Sequence, residues 1–240
     1  MTAFSQSKIP DPKSKIIGVM PNPTHHIDES PIRFDRLVQS LPNWLQRFLP
    51  IGGGIAHDHH GKAMFGVTIF LLSESLVFFS FFFTYIALRL THSNWLPPGV
   101  KGPELSKFII INTVVLLSSS FVIQAAENAL KRHKIIRFRW LWVLTFGMGI
   151  YFLVGQGIEW SNLNFRLTTG LMGGTFYLLT GFHGLHVFAG ILLQLLMLSR
   201  SFIRDNYNKG YFGVSATTLF WHFVDAIWVI LFSLIYLWPP

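Results

Sequence analysis

Glu74, His183, His186, His222 and Asp225 are ionisable residues set inside long apolar stretches, and that placement is the first chemical signal in the chain. An ionisable group in hydrocarbon is costly, so each of the five needs a partner or a function. Glu74 lies in SESLVFF, about eleven residues into its stretch, or roughly 16 Å deep at the helical rise. His183 and His186 stand three apart in GFHGLH, and His222 and Asp225 stand three apart in WHFVD. On a helix, a spacing of three sets each pair on one face.

Two readings of Glu74 stay open at this stage. It is either a carboxyl kept neutral and hydrogen-bonded to another helix, or a group that exchanges protons or holds a lipid or subunit nearby. For His183 and His186 the alternatives are ligation of haem or metal and hydrogen bonds that bridge helices, with Gly181 and Gly184 allowing close backbone approach. Bridging is favoured, because His222 is the only other histidine within an apolar stretch and no Glu-x-x-His pair of a di-iron bundle accompanies them. His222 and Asp225 read as an ion pair, or as a carboxylate orienting an imidazole. No hydrolytic serine motif makes them a catalytic dyad.

His57, Asp58, His59 and His60 form HDHH ahead of the first apolar stretch. Neutral imidazoles are common metal ligands, but a solvated, pH-responsive loop at the membrane face is the expectation. With no cysteine in the chain, disulfides, thiolate zinc sites, iron–sulfur clusters, Cys-ligated copper and a Cys nucleophile are all excluded.

The elements that position these residues follow from the hydropathy pattern. Five apolar stretches run over residues 63–88, 107–129, 139–158, 174–198 and 216–238. Each is close to the roughly 20 residues that an α-helix needs to cross a hydrocarbon core. Residues 1–62 are polar and broken by prolines, and read as an extended arm on the solvent side with one amphipathic piece after Pro31. The fold expected is therefore all-α: an arm at 1–62 and a bundle of five transmembrane helices at 63–240.

Composition agrees. Charged residues make up 12% of the 240, about half the quarter expected of a soluble domain, and mean hydropathy is +0.45. The net charge of +8 is mostly a sidedness signal. Fifteen Lys and Arg fall on the arm and the second and fourth connections, against four (Arg89, Lys101, Lys107 and Arg166) on the other side. Basic residues stay on the cytoplasmic face, which puts the N-terminus inside and the C-terminus outside, and leaves no case for nucleic acid as a partner.

The stretches LLSESLVFFSFFFTY, NTVVLLSSSFVIQAAENAL, GIYFLVGQGIEW, GGTFYLLTGFHGLHVFAG and FWHFVDAIWVILFSLIYLW, in this order, resemble subunit III of the haem–copper oxidases. The likeness is closest to cytochrome c oxidase subunit III in its short five-helix bacterial form, and covers the chain from about His57 to Trp238. It implies a subunit that binds no haem or copper and has no catalytic residue of its own, those cofactors residing in partner subunits of a complex that moves electrons from cytochrome c to oxygen and pumps protons. The implied partners are subunit I directly, subunit II, cytochrome c through the complex, and membrane phospholipid. By the same resemblance, Glu74 falls on the family's intramembrane carboxylate, His183, His186, His222 and Asp225 fall on its polar pairs supporting proton uptake, and Arg200 falls on a phospholipid headgroup contact, which suits a guanidinium.

Longer family members carry two more helices before the first span, where this chain has the arm, so a lipid cleft needs its missing wall from another subunit. Subunit III of a quinol oxidase and a stand-alone proton-coupled transporter are the competing readings. The basic inner face suits a bacterial inner membrane, with a thylakoid membrane as the alternative.

Overall fold

A computed structural model describes residues 56–92, 95–203, 207 and 210–238, with side chains from residue 63 onward. The expected arm lies outside the described residues up to position 55, as do Arg204 and Lys209. Five long helices follow: α1 (Ala56–Thr91), α2 (Lys107–Lys131), α3 (Ile135–Asn162), α4 (Gly170–Arg200) and α5 (Phe212–Phe232), the last continued by a π-helical turn over Ser233–Leu237. All five are long and apolar enough to cross a membrane, and no strand occurs among the described residues.

The helices outrun their apolar stretches, because polar turns at each end still gain backbone hydrogen bonds in the headgroup region. HDHH is one consequence: residues 57–60 belong to the first turns of α1 rather than to a loop. At the start of α2 the Ser106 side chain caps by accepting from the Ile109 N–H at 3.2 Å. Arg89, Lys131 and Arg200 close the last turns of α1, α2 and α4, where a cation meets the negative end of the helix dipole.

The turn between α2 and α3 is the tightest. His133 takes a left-handed φ of 58°, its N–H bonds to the Leu130 carbonyl at 2.8 Å, and the Lys134 N–H reaches Ala129 at 2.9 Å. That hydrogen-bond pair is a Schellman stop, which reverses the chain and sets α2 and α3 side by side.

Helices α2, α3, α4 and α5 close into a ring, each packed on its two neighbours, while α1 leans on α4 and α5. Burial follows that order: half of the most apolar window of α5 is buried, against 17% for α1. Large rings fill the centre, with Trp142, Phe152, Phe176, Trp221 and Trp228 essentially inaccessible. Trp221 shows how the ring is made to fit. A Cβ on Gly149 of α3 would stand 2.7 Å from the indole, and one on Gly190 of α4 would stand 2.8 Å from it, so two absent side chains make the slot. The Trp221 Nε1–H then donates to Ser119 Oγ of α2 at 2.7 Å, tying three helices together through one side chain from the fourth. The glycines expected to give close approach, Gly181 and Gly184, meet Trp160 at 3.4 Å and Leu153 at 4.0 Å, ordinary packing distances.

Candidate functional site

Glu74 of α1 and His186 of α4 meet on the seam between their helices. His186 Nδ1 lies 2.9 Å from the Phe182 carbonyl oxygen, and Nε2 lies 3.3 Å from Glu74 Oε2. A carbonyl oxygen only accepts, so Nδ1 carries the hydrogen and Nε2 is left to face the carboxyl. The pair can then bond in two ways that differ in where one proton sits. Glu74 donates as an acid to a bare Nε2, or an imidazolium donates to the carboxylate. Phe78 and Phe182 close on the imidazole edge-on at 5.0 and 4.8 Å, yet the two polar side chains stay 23% and 14% exposed. This fits the expectation that His186 bridges helices, and it makes Glu74 its partner.

His183 does not join that pair. It points into the ring, 1% exposed, with Phe152 edge-on at 5.9 Å and Trp228 tilted over it at 4.9 Å. Neither ring nitrogen has a hydrogen-bond partner among the described residues. A separation of three turns a helix by about 300°, not a full circle, so side chains three apart can enter neighbouring grooves. The expected bridging role therefore passes to His186 alone.

His222 and Asp225 are likewise not in direct contact. Ser120 of α2 comes between them: its Oγ bonds to Asp225 Oδ2 and lies 3.0 Å from His222 Nδ1. His222 Nε2 lies 3.1 Å from Gln124 Oε1, and Gln124 Nε2 donates to Glu127 Oε2 at 3.4 Å. Glu127 also accepts from Ser215 Oγ at 2.7 Å and pairs with Lys131 at 2.8 Å. Neighbouring hydrogen bonds thus join Asp225, midway along α5, to Lys131 at the end of α2. The expected ion pair is replaced by this longer chain.

Glu127 and Glu159 are carboxylates that reasoning from isolated motifs passed over. Glu159 of α3 is 8% exposed, accepts from Gln156 Nε2 at 2.8 Å and from the Tyr236 hydroxyl, and borders a cavity of about 610 Å³ with Lys101, Glu104 and Asn162. Both carboxylates end the same pattern, Gln124-x-x-Glu127 and Gln156-x-x-Glu159, in which the amide one turn earlier satisfies the acid. That repeated spacing was the available signal.

Arg200 ends α4 at the surface, beside Tyr207. Burial pushes the Tyr207 phenol above its ordinary range although Arg200 and Arg139 pull it down, so the hydroxyl stays protonated and donates to the Met197 carbonyl at 2.6 Å. Arg139 is committed to the Ser201 hydroxyl and carbonyl and lies over the Phe202 ring at 4.5 Å. Two guanidiniums and a phenol thus gather where α4 leaves the bilayer.

The chemistry on offer is proton sharing between hydrogen-bonded acids and imidazoles. Among the described residues, no three His, Asp or Glu side chains converge as a metal site. The family model for cytochrome c oxidase subunit III matches residues 52–240, which takes in every site above. Cytochrome c oxidase subunit 3 of Thermostichus vulcanus is 44% identical over 185 residues, covering 76% of this chain and 90% of that protein. The Synechocystis protein of the same name is 43% identical over 189 residues, covering 77% and 80%. The Mus musculus protein is 34% identical over 195 residues, covering 77% and 75%. With five helices long and apolar enough to cross a membrane and these matches over most of its length, the chain belongs to the cytochrome c oxidase subunit III family.

Proposed function

We propose that this chain is the non-redox subunit III of a proton-pumping terminal oxidase that passes electrons from cytochrome c to oxygen. It carries no catalytic centre of its own. Haem and copper belong to partner subunits, subunit I packs directly against this chain, and subunit II completes the assembly. Its work is to support proton uptake, to stabilise the catalytic subunit during turnover and to hold phospholipid, with Arg200 at a headgroup. The N-terminus lies inside and the C-terminus outside, in a bacterial inner membrane or a thylakoid membrane.

The observation that carries the reading is the Glu74–His186 pair, an acid and an imidazole 3.3 Å apart on a partly exposed seam between two helices long and apolar enough to cross a membrane. Such a pair is costly against lipid and persists where it serves a function. The relatives are cytochrome c oxidase subunits, which favours cytochrome c over quinol as donor.

The test is to purify the intact membrane complex through this chain, identify its subunits and cofactors, and compare it with Glu74→Gln. Haem and copper should co-purify in other subunits. The variant should begin reducing oxygen at close to the normal rate while losing lipid or the lifetime of its activity. Immediate loss of all oxygen reduction in an assembled complex, or haem bound stoichiometrically to the isolated chain, would overturn the reading.

A further inference from the structure

The seam between α2 and α5 carries a polar stripe that the Glu74 pair does not use. On α2 its members are Ser120, Gln124, Glu127 and Lys131, spaced four, three and four apart and so on one face. On α5 they are Ser215, His222 and Asp225.

Counting hydrogens along the stripe shows what it requires. Gln124 turns its amide nitrogen to the Glu127 carboxyl, so its oxygen faces His222 Nε2, and that nitrogen must carry a hydrogen. His222 Nδ1 is left facing Ser120 Oγ at 3.0 Å, and the same oxygen meets Asp225 Oδ2. Ser120 owns one hydrogen. With Asp225 ionised and His222 neutral, it can serve only one of its two neighbours, and the other contact sets lone pair against lone pair. Both contacts are made at once only when the trio holds one proton more.

We propose that Asp225, Ser120 and His222 form a site that holds one exchangeable proton and passes it between carboxyl and imidazole through the Ser120 hydroxyl. In one state Asp225 is the acid and donates to Ser120 Oγ, while Ser120 donates to Nδ1. In the transfer, the Asp225 O–H bond breaks as a new O–H bond forms on Ser120. The original Ser120 O–H bond breaks as an N–H bond forms on Nδ1. Aspartate and imidazolium result, the trio's total charge is unchanged, and no electron moves.

The charged and titratable groups on the elements packed against α5 include Glu127 and Lys131, His183 and His186, and Glu74 and Arg89. Glu127 of α2 pairs with Lys131 and accepts from Ser215; its hydrogen bonds reach the trio only through Gln124, while its charge lies near enough to act on His222 directly. On α4, His183 lies against Trp228, and His186 pairs with Glu74 of α1. Arg89 of α1 bonds to Tyr85 and to the Trp238 carbonyl. The inference deepens the proton-support reading above by naming a second proton-holding site on another seam.

The test is infrared titration of the intact complex, with the Asp225 carboxyl band identified by its loss in Asp225→Asn and the imidazole band by its loss in His222→Gln. Because both bands report the loss of the one shared proton, they change over a single interval with a common midpoint, which belongs to the trio and not to either residue. Ser120→Ala should separate the two transitions, and Ser120→Thr, which keeps the hydroxyl, should restore one. Independent titration of the two bands in the native complex, no response of either to pH, or Ser120→Ala titrating like the native chain would overturn the proposal. If Ser120→Ala does not assemble, the native complex and Ser120→Thr decide by the same coincidence of bands. Haem content and oxygen consumption, read on the same samples, report on the oxidase assignment separately from the relay.

Discussion

Gly190→Ala is the sharpest probe of how this bundle is held together. A Cβ at that position would stand 2.8 Å from two carbons of the Trp221 ring and 3.3 Å from Phe220. Carbon atoms settle at about 3.5–4.0 Å, so the indole would have to retreat by about 0.7–1.2 Å. It has nowhere to go: its far edge already fills the gap left by Gly149, and its N–H is bonded to Ser119. Overpacking of this kind costs about 1–3 kcal/mol, offset by the roughly 1 kcal/mol that alanine gains over glycine inside a helix. Gly184→Ala on the same helix gains the second term without the first, because its Cβ would meet Leu153 at 4.0 Å. The two variants should therefore differ by about 1–3 kcal/mol, or about 2–12 °C at the 2–4 °C per kcal/mol expected for a chain of this size. The assay is thermal unfolding of the chain within the purified complex. Gly190→Ala melting together with or above Gly184→Ala would refute the packing argument.

Three further outcomes are expected. Tyr236→Phe removes a donor from the buried Glu159 carboxyl and should lower the melting temperature by the equivalent of about 1–3 kcal/mol. Adding Glu159→Gln should recover part of that loss, and additive effects in the double variant would speak against a direct bond. His183→Phe should leave stability near the native value, since the imidazole has no hydrogen-bond partner among the described residues, whereas His186→Phe strips Glu74 of its own. Equal losses in the two histidine variants, read by thermal unfolding, would contradict the separate placements. Because the chain has no cysteine, single cysteines at Lys134 and Pro98 report orientation directly. A membrane-impermeant thiol reagent added from outside should label the second and not the first, and the reverse result would invert the topology.

The sequence by itself determined the number of helices and the placement of Glu74, because both rest on local quantities. A hydrocarbon core demands about twenty apolar residues per crossing, and an acid within such a run is visible without knowing its neighbours. Glu127 and Glu159 were visible in the same way, but their paired Gln-x-x-Glu spacing was overshadowed by the denser histidine motifs. Spacing along one helix could say that His183 and His186 lie close together, and that His222 and Asp225 do. It could not say which neighbouring helix each would meet. Only the tertiary structure sent His183 into the aromatic core and His186 to Glu74, and only it set Ser120 between His222 and Asp225. The physical reason is that hydrogen-bond partners in a bundle come from other helices, 98 to 115 residues away along the chain in the cases of Gln124, Ser119, Ser120, Glu74 and Thr113. Which of them meet is decided by how the helices rotate to close around Trp221.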